Sequence, residues 1–99
     1  MKARKKPILV DVIQLPELNY ENIKDGKCWE PLREVVPSFI YNQALTIRHI
    51  GTGTLWYWET YCFGYRTRGR GGDYLLYNDK QDVWIITKAE FDEMYEVLD

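Results

Sequence analysis

The chain has 99 residues, 45% of them apolar and 28% charged, with a formal net charge of −2 at pH 7. This length predicts one domain, spanning residues 1–99, and the composition excludes an intrinsically disordered chain. The balance of charge excludes a domain-wide basic surface and so disfavours direct nucleic-acid binding. Two cysteines, Cys28 and Cys62, are too few for a disulfide framework or a zinc site.

Residues 1–7 are rich in lysine and arginine and predict a basic, flexible arm. The run from Ile8 to Leu15 is nearly continuous and β-branched, which predicts a strand buried on both faces and central in its sheet. Asp11 and Gln14 interrupt this run, so we expect no signal peptide. No apolar run approaches the ~20 residues that cross a bilayer. We expect a soluble, cytoplasmic protein that has no membrane partner and needs no cofactor or metal.

Two short helices are predicted next. The spacing of Leu18, Tyr20 and Ile23 favours a helix that ends at the Asp25–Gly26 turn. The segment 30–36 favours a second helix, with a proline in its first turn, where the missing N–H costs least.

The middle of the chain predicts two strands and a loop. Alternation from Ala44 to Ile50 favours a strand, residues 51–53 favour a turn, and the aromatic run from Leu55 to Phe63 favours a returning strand. The segment from Gly64 to Gly72 has four glycines and three arginines, which is typical of a loop.

The last third of the chain predicts a hairpin that runs into a helix. Two apolar runs, Tyr74–Tyr77 and Val83–Ile86, flank a polar turn. A capping box over residues 87–90 begins an amphipathic helix, whose apolar stripe continues at helical spacing to Leu98. The predicted fold class is α+β: an antiparallel-rich sheet of about five strands, with one or two short helices and the C-terminal amphipathic helix packed on one face.

Both ends of the chain resemble small phage and prophage accessory proteins. The resemblance rests on the start Met1-Lys2-Ala3-Arg4-Lys5-Lys6-Pro7, the segment Gly72-Asp73-Tyr74-Leu75-Leu76 and the helix Phe91-Asp92-Glu93-Met94-Tyr95-Glu96. It covers about a third of the chain. It implies a non-enzymatic protein made in the bacterial host cell, and small prophage proteins of this size often bind and block a host factor, such as a CRISPR nuclease or another defence protein.

The sequence carries no catalytic signature. His49 is the only histidine, and a lone histidine on a strand is most often structural. Glu59 and Asp73 are candidate paired carboxylates, but an Asp after two glycines is better explained as a turn residue that bonds its own backbone. No phosphate loop, serine triad or metal-ligand spacing is present. We therefore predict that the protein is not an enzyme.

The segment 65–72 is the first candidate binding site. Its glycines and arginines, Arg66, Arg68 and Arg70, resemble an anion-binding loop, and Tyr65 is placed to stack on a ligand. The alternative is a mobile, solvated hairpin loop whose arginines only maintain solubility.

The aromatic strand is the second candidate site. If Trp56 and Trp58 face away from the helices, they form an exposed apolar patch for a partner, with Tyr61 nearby. The alternative places the tryptophans in the core and the tyrosines at the surface. Because both faces are aromatic, something must cover one of them, and a homodimer would do so.

Three functions follow. The first is a phage- or prophage-encoded binding module that inhibits a host protein by direct contact. The second is a protein that sequesters a nucleotide or another anionic small ligand through the arginine loop. The third is a self-associating structural or assembly protein of a phage.

Overall fold

The computed structural model describes residue 1 and residues 10–50, 55–62 and 64–97. Five predicted features lie wholly or partly outside these residues: all but the first residue of the basic arm, Ile8 and Leu9 of the first predicted strand, the turn at 51–53, Phe63 and the end of the apolar stripe at Leu98.

Within the described residues the fold is α+β and its sheets are antiparallel, as predicted. Six strands form two three-stranded sheets, where the sequence predicted one sheet of about five strands. The strands are β1 (Asp11–Gln14), β2 (Leu45–His49), β3 (Trp56–Cys62), β4 (Tyr65–Gly69), β5 (Tyr74–Tyr77) and β6 (Val83–Ile86). The helices are α1 (Tyr20–Lys24), α2 (Glu30–Arg33) and α3 (Lys88–Met94), with a 3₁₀ turn at Lys27–Trp29 and a π-helical turn at Ile40–Ala44.

The first sheet has the order β1-β5-β6, so β1 lies at its edge. The prediction that this strand is central and buried on both faces was wrong. Asp11 and Gln14 are exposed, and the two residues between them are only half-buried. A run of β-branched residues favours a strand, but it does not say how many neighbours that strand has.

The second sheet has the order β2-β3-β4. Its third strand, β4, occupies residues that the sequence assigned to a loop, and that assignment was wrong. Gly64 adopts a φ of 83°, which makes the tight turn that returns the chain from β3 to β4. Along β4, Arg66 and Arg68 point to one side while Thr67 and Gly69 point to the other, the period of two that a strand requires.

The two sheets meet where β4 passes β6. A Cβ atom at Gly69 would lie 2.4 Å from Ile85 Cγ2, so the close approach of the sheets requires glycine here. The backbone N–H of Ile85 donates a hydrogen bond to Thr67 Oγ1 at 2.8 Å. The buried core extends across both sheets and the helices; its largest fully buried apolar side chains are Leu15, Leu32, Ile40, Trp58, Leu75 and Leu76.

The segment after α2 and the helix α3 contact opposite faces of the first sheet, whereas the prediction placed the helices on one face. Tyr77 donates a hydrogen bond to the carbonyl of Val35, just after α2, at 3.3 Å. Tyr74, whose side chain points the other way along β5, stacks on Phe91 of α3 with ring centroids 3.9 Å apart. The predicted capping box is confirmed, with Thr87 as the N-cap residue.

Candidate functional site

The alternation of β3 separates two aromatic faces. Trp58 points inward, is fully buried and packs edge-on against Trp29 at 5.0 Å. Tyr57, Glu59 and Tyr61 occupy the odd positions and therefore point outward. The hypothesis that the tryptophans form an exposed patch is thus wrong for Trp58, because the apolar core lies on its side of the sheet.

The outward face of the second sheet is a surface of arginines and tyrosines, which we call the arginine–tyrosine face. The register sets Tyr57 opposite Arg48 of β2, and it sets Glu59 and Tyr61 opposite Arg68 and Arg66 of β4. Directly opposed side chains on one face of an antiparallel pair are close enough to interact.

Two cation–π contacts order the arginines on this face. The Arg66 guanidinium lies 5.7 Å from the ring centroid of Tyr61, and that of Arg68 lies 5.3 Å from the ring centroid of Tyr57. Tyr61 remains 60% exposed, so the pair is available to a partner molecule. A guanidinium held against an aromatic ring loses less freedom on binding than one moving in water.

Glu59 forms the centre of the face. It is only 5% exposed, and its carboxylate accepts a hydrogen bond from Arg68 Nε at 2.9 Å while Arg48 Nε lies 3.5 Å from its other oxygen. One buried carboxylate therefore fixes two arginines from two different strands. With Arg66, three guanidinium groups stand against one carboxylate among the described residues of the face, which is therefore positively charged on a chain whose net charge is negative.

A hollow of about 270 Å³ opens at one end of this face. Tyr57 and Arg68 belong to both the face and the hollow. The remaining lining residues are Ile50, Leu55, Gly69, Arg70 and Asp73.

The structure brings together some of the predicted site residues and separates others. Arg66, Arg68 and Tyr61 share the arginine–tyrosine face, and Arg70 lines the hollow. The others do not contribute to the face: Trp58 is in the core, Trp56 is half-buried on the inward side, and Tyr65, although 78% exposed, follows the inward alternation of β4.

Three residues of the face were missed as binding residues: Arg48, Tyr57 and Glu59. The signal that could have found them is the odd–even alternation of β3, together with Arg48 before it in sequence and arginines at alternate positions after it.

The only histidine and Cys62 lie too far apart to form a catalytic Cys–His pair. His49 packs on Trp56 at one end of β3, with ring centroids 4.5 Å apart, whereas Cys62 is at the other end, on the order of 20 Å away at ~3.3 Å per residue. Asp73 accepts hydrogen bonds from the backbone N–H groups of Arg70 and Lys88, which confirms its role as a turn residue. In the described part of the chain, no three His, Cys, Asp or Glu side chains could hold a metal ion.

The shifted pKa values belong to groups outside the arginine–tyrosine face. Burial raises the pKa of the Cys28 thiol, and burial also raises the pKa of the Tyr77 phenol. The hydrogen bond from Lys88 to Asp92 raises the pKa of that lysine. Each of these shifts has a structural cause in the core or on α3.

Comparison of the chain with protein-family models, curated proteins and solved structures found no match. The resemblance to phage accessory proteins therefore stays a prediction. Among the described residues, no helix is long and apolar enough to cross a membrane.

Proposed function

We propose that the protein is a binding module without chemistry of its own, and that it recognises an acidic surface of another protein through the arginine–tyrosine face. The observation that carries this proposal is the pair of ordered Arg–Tyr contacts around the buried Glu59. Tyrosine and arginine are enriched at protein interfaces and among the residues that dominate binding energy.

The charge of the face favours a different protein over a second copy of this chain. In a symmetric dimer built through this face, the same arginines would meet across the two-fold axis. Opposed like charges are unfavourable, whereas an acidic partner would pair with the guanidinium groups and be attracted from a distance.

The biological setting that we propose is the one the sequence resemblance implies. The module would be encoded by a phage or prophage, would act in the cytoplasm of the bacterial host and would block a host protein, with a defence factor such as a CRISPR nuclease as the first target to test. The support for this setting is the resemblance at the two ends of the chain.

The test compares capture of host proteins by the wild type and by the double variant Tyr61→Ala/Arg66→Ala. Truncating an interface hot spot costs ~2 kcal/mol or more, so we expect at least a tenfold loss of affinity for the captured partner. Capture should also weaken with rising salt, because the charges on the face are partly exposed.

The matched control is Tyr20→Ala/Lys24→Ala, which removes another cation–π pair, on α1, with Lys24 Nζ 5.9 Å from the ring centroid of Tyr20. This variant should keep full capture. Equal loss in both double variants, or no loss in either, would contradict the assignment of the face.

A nucleotide or another small anion is the second candidate ligand, and the hollow favours it by placing Arg68 and Arg70 beside Tyr57. A bound ligand raises the apparent stability of the fold. If nucleotides and phosphates leave the melting temperature unchanged at millimolar concentration, this candidate fails.

The third candidate is a self-associating phage protein. It requires that light scattering detect an oligomer in solution.

A further inference from the structure

The hollow at the end of the arginine–tyrosine face combines two kinds of wall. Ile50 and Leu55 are 53% and 38% exposed and supply apolar surface. Arg68 and Arg70 supply guanidinium groups. A ligand that fills the hollow must therefore present an apolar group and a negative group close together.

Among the described residues that line the hollow, the one carboxylate is already engaged. Asp73 Oδ2 accepts the N–H of Arg70 at 2.8 Å, and Oδ1 accepts the N–H of Lys88 at 3.0 Å. Arg68 uses its Nε atom on Glu59, at 2.9 Å. Its two terminal nitrogens have no hydrogen bond to another described residue, and they can donate two parallel hydrogen bonds to a carboxylate.

The size of the hollow selects the kind of occupant. Pockets for small molecules and cofactors usually enclose about 300–1,000 Å³, and this one encloses about 270 Å³. A complete nucleotide would leave much of its surface outside. One or two amino-acid side chains fit a hollow of this volume.

We propose that this hollow is the anchor pocket of the binding module, and that it takes from the partner protein a segment in which an apolar side chain stands next to a carboxylate. This inference rests on the proposed function, since it identifies the feature of the acidic partner that the face recognises. The apolar side chain packs on Ile50 and Leu55, and the carboxylate pairs with Arg68 and Arg70.

The test is an NMR titration of the isotopically labelled full chain with capped dipeptides. Acetyl-Leu-Glu-amide should shift the backbone amides of Leu55, Gly69 and Arg70 in a saturable manner. Acetyl-Leu-Gln-amide, which has the same shape without the charge, should bind about fivefold more weakly. Adenosine monophosphate is the third probe.

Two variants and a control complete the design. Arg70→Gln and Leu55→Ser each change a wall of the hollow at an exposed side chain, and each should reduce the response to the acidic dipeptide. Lys80→Gln removes a positive charge in the β5–β6 turn and should leave the titration unchanged.

Several outcomes would overturn the anchor pocket. Equal binding of the glutamine dipeptide would show that the hollow does not recognise a carboxylate. Stronger shifts of the same amides by adenosine monophosphate would identify a nucleotide site. Shifts confined to Tyr61 and Arg66 would show that acidic peptides bind the face but not the hollow. That last result would overturn the anchor pocket but not the proposed function. The proposed function itself would be contradicted if the Tyr61→Ala/Arg66→Ala variant captured the partner as well as the wild type does.

Discussion

Glu59 connects the stability of the second sheet to its surface chemistry. A buried carboxylate is costly unless it is paired and hydrogen-bonded. Here both oxygens face arginines, one from β2 and one from β4. The pairing that compensates the buried charge of Glu59 therefore also fixes two guanidinium groups of the binding face.

Glu59→Gln keeps the shape of this side chain and removes its charge. Removing one partner of a buried ion pair costs ~3–5 kcal/mol when the other charge stays buried. Here the side chains of Arg48 and Arg68 are 60% and 57% exposed, so water can solvate their charges. We expect a smaller loss of ~1 kcal/mol in the free energy of unfolding, measured by urea denaturation, or a fall of about 4–8 °C in the melting temperature.

Asp25→Asn is the matched control for this change. Its ion pair with Lys27, at 3.7 Å, is exposed at both ends, and exposed pairs contribute ~0–1 kcal/mol. A Glu59→Gln protein no less stable than the Asp25→Asn protein would show that Glu59 does not hold the arginines.

At the scale of single elements, most of the fold could be predicted from the sequence. The strands β2, β3, β5 and β6, the helices α1 and α2, and the capping box of α3 all lie where their local patterns predict them. These elements carry their own signals: alternation, a turn on each side, or a cap residue.

The strand β4 could not be predicted because its composition resembles that of a loop. Glycine at residues 64 and 69 serves the turn and the close approach of the sheets, which are tertiary requirements. The binding site was predicted only in part. Arg66, Arg68 and Tyr61 were identified by residue type alone, but Tyr57 and Arg48 acquire their role only from the register.

The C-terminal helix depends on its cap. With seven residues, α3 is too short to be stable alone. Thr87 Oγ1 accepts the N–H of Glu90 at 3.1 Å, and Phe91 is its buried anchor. Thr87→Ala should cost ~1 kcal/mol and increase hydrogen exchange at the amides of Phe91 and Tyr95. Thr46→Ala in β2 is the control; equal exchange at those two amides in both variants would contradict the role of the cap.

At the scale of the whole molecule, the division into two sheets could not be predicted from the sequence. Local patterns identify strands, but the choice between one sheet and two depends on which edges pair. Here β4 and β6 approach each other, but a hydrogen bond to a side chain joins them, where backbone hydrogen bonds would join two strands of one sheet. Thr67 Oγ1 accepts the N–H of Ile85 and also hydrogen-bonds the hydroxyl of Thr60 on β3.

This junction predicts that the two sheets unfold together. The core spans both of them, so urea unfolding followed by tryptophan fluorescence and by far-UV circular dichroism should give one coincident transition. Tryptophans report on both sheets, with Trp84 in the first and Trp58 in the second. Two separated transitions would show that the sheets are independent units.

Thr67→Val tests the junction itself. The substitution nearly conserves side-chain volume but leaves the backbone N–H of Ile85, a buried residue, without its acceptor. An unsatisfied buried donor costs ~1–3 kcal/mol, so the urea midpoint should fall while the transition stays single. Thr46→Val makes the same atomic change at an exposed site, where the hydroxyl donates only a long hydrogen bond of 3.4 Å to the Glu59 carbonyl, and it should cost no more than ~0.5 kcal/mol. If the two valine variants are equally stable, the hydroxyl of Thr67 does not join the sheets, and the apolar contacts of the shared core must hold them together without it.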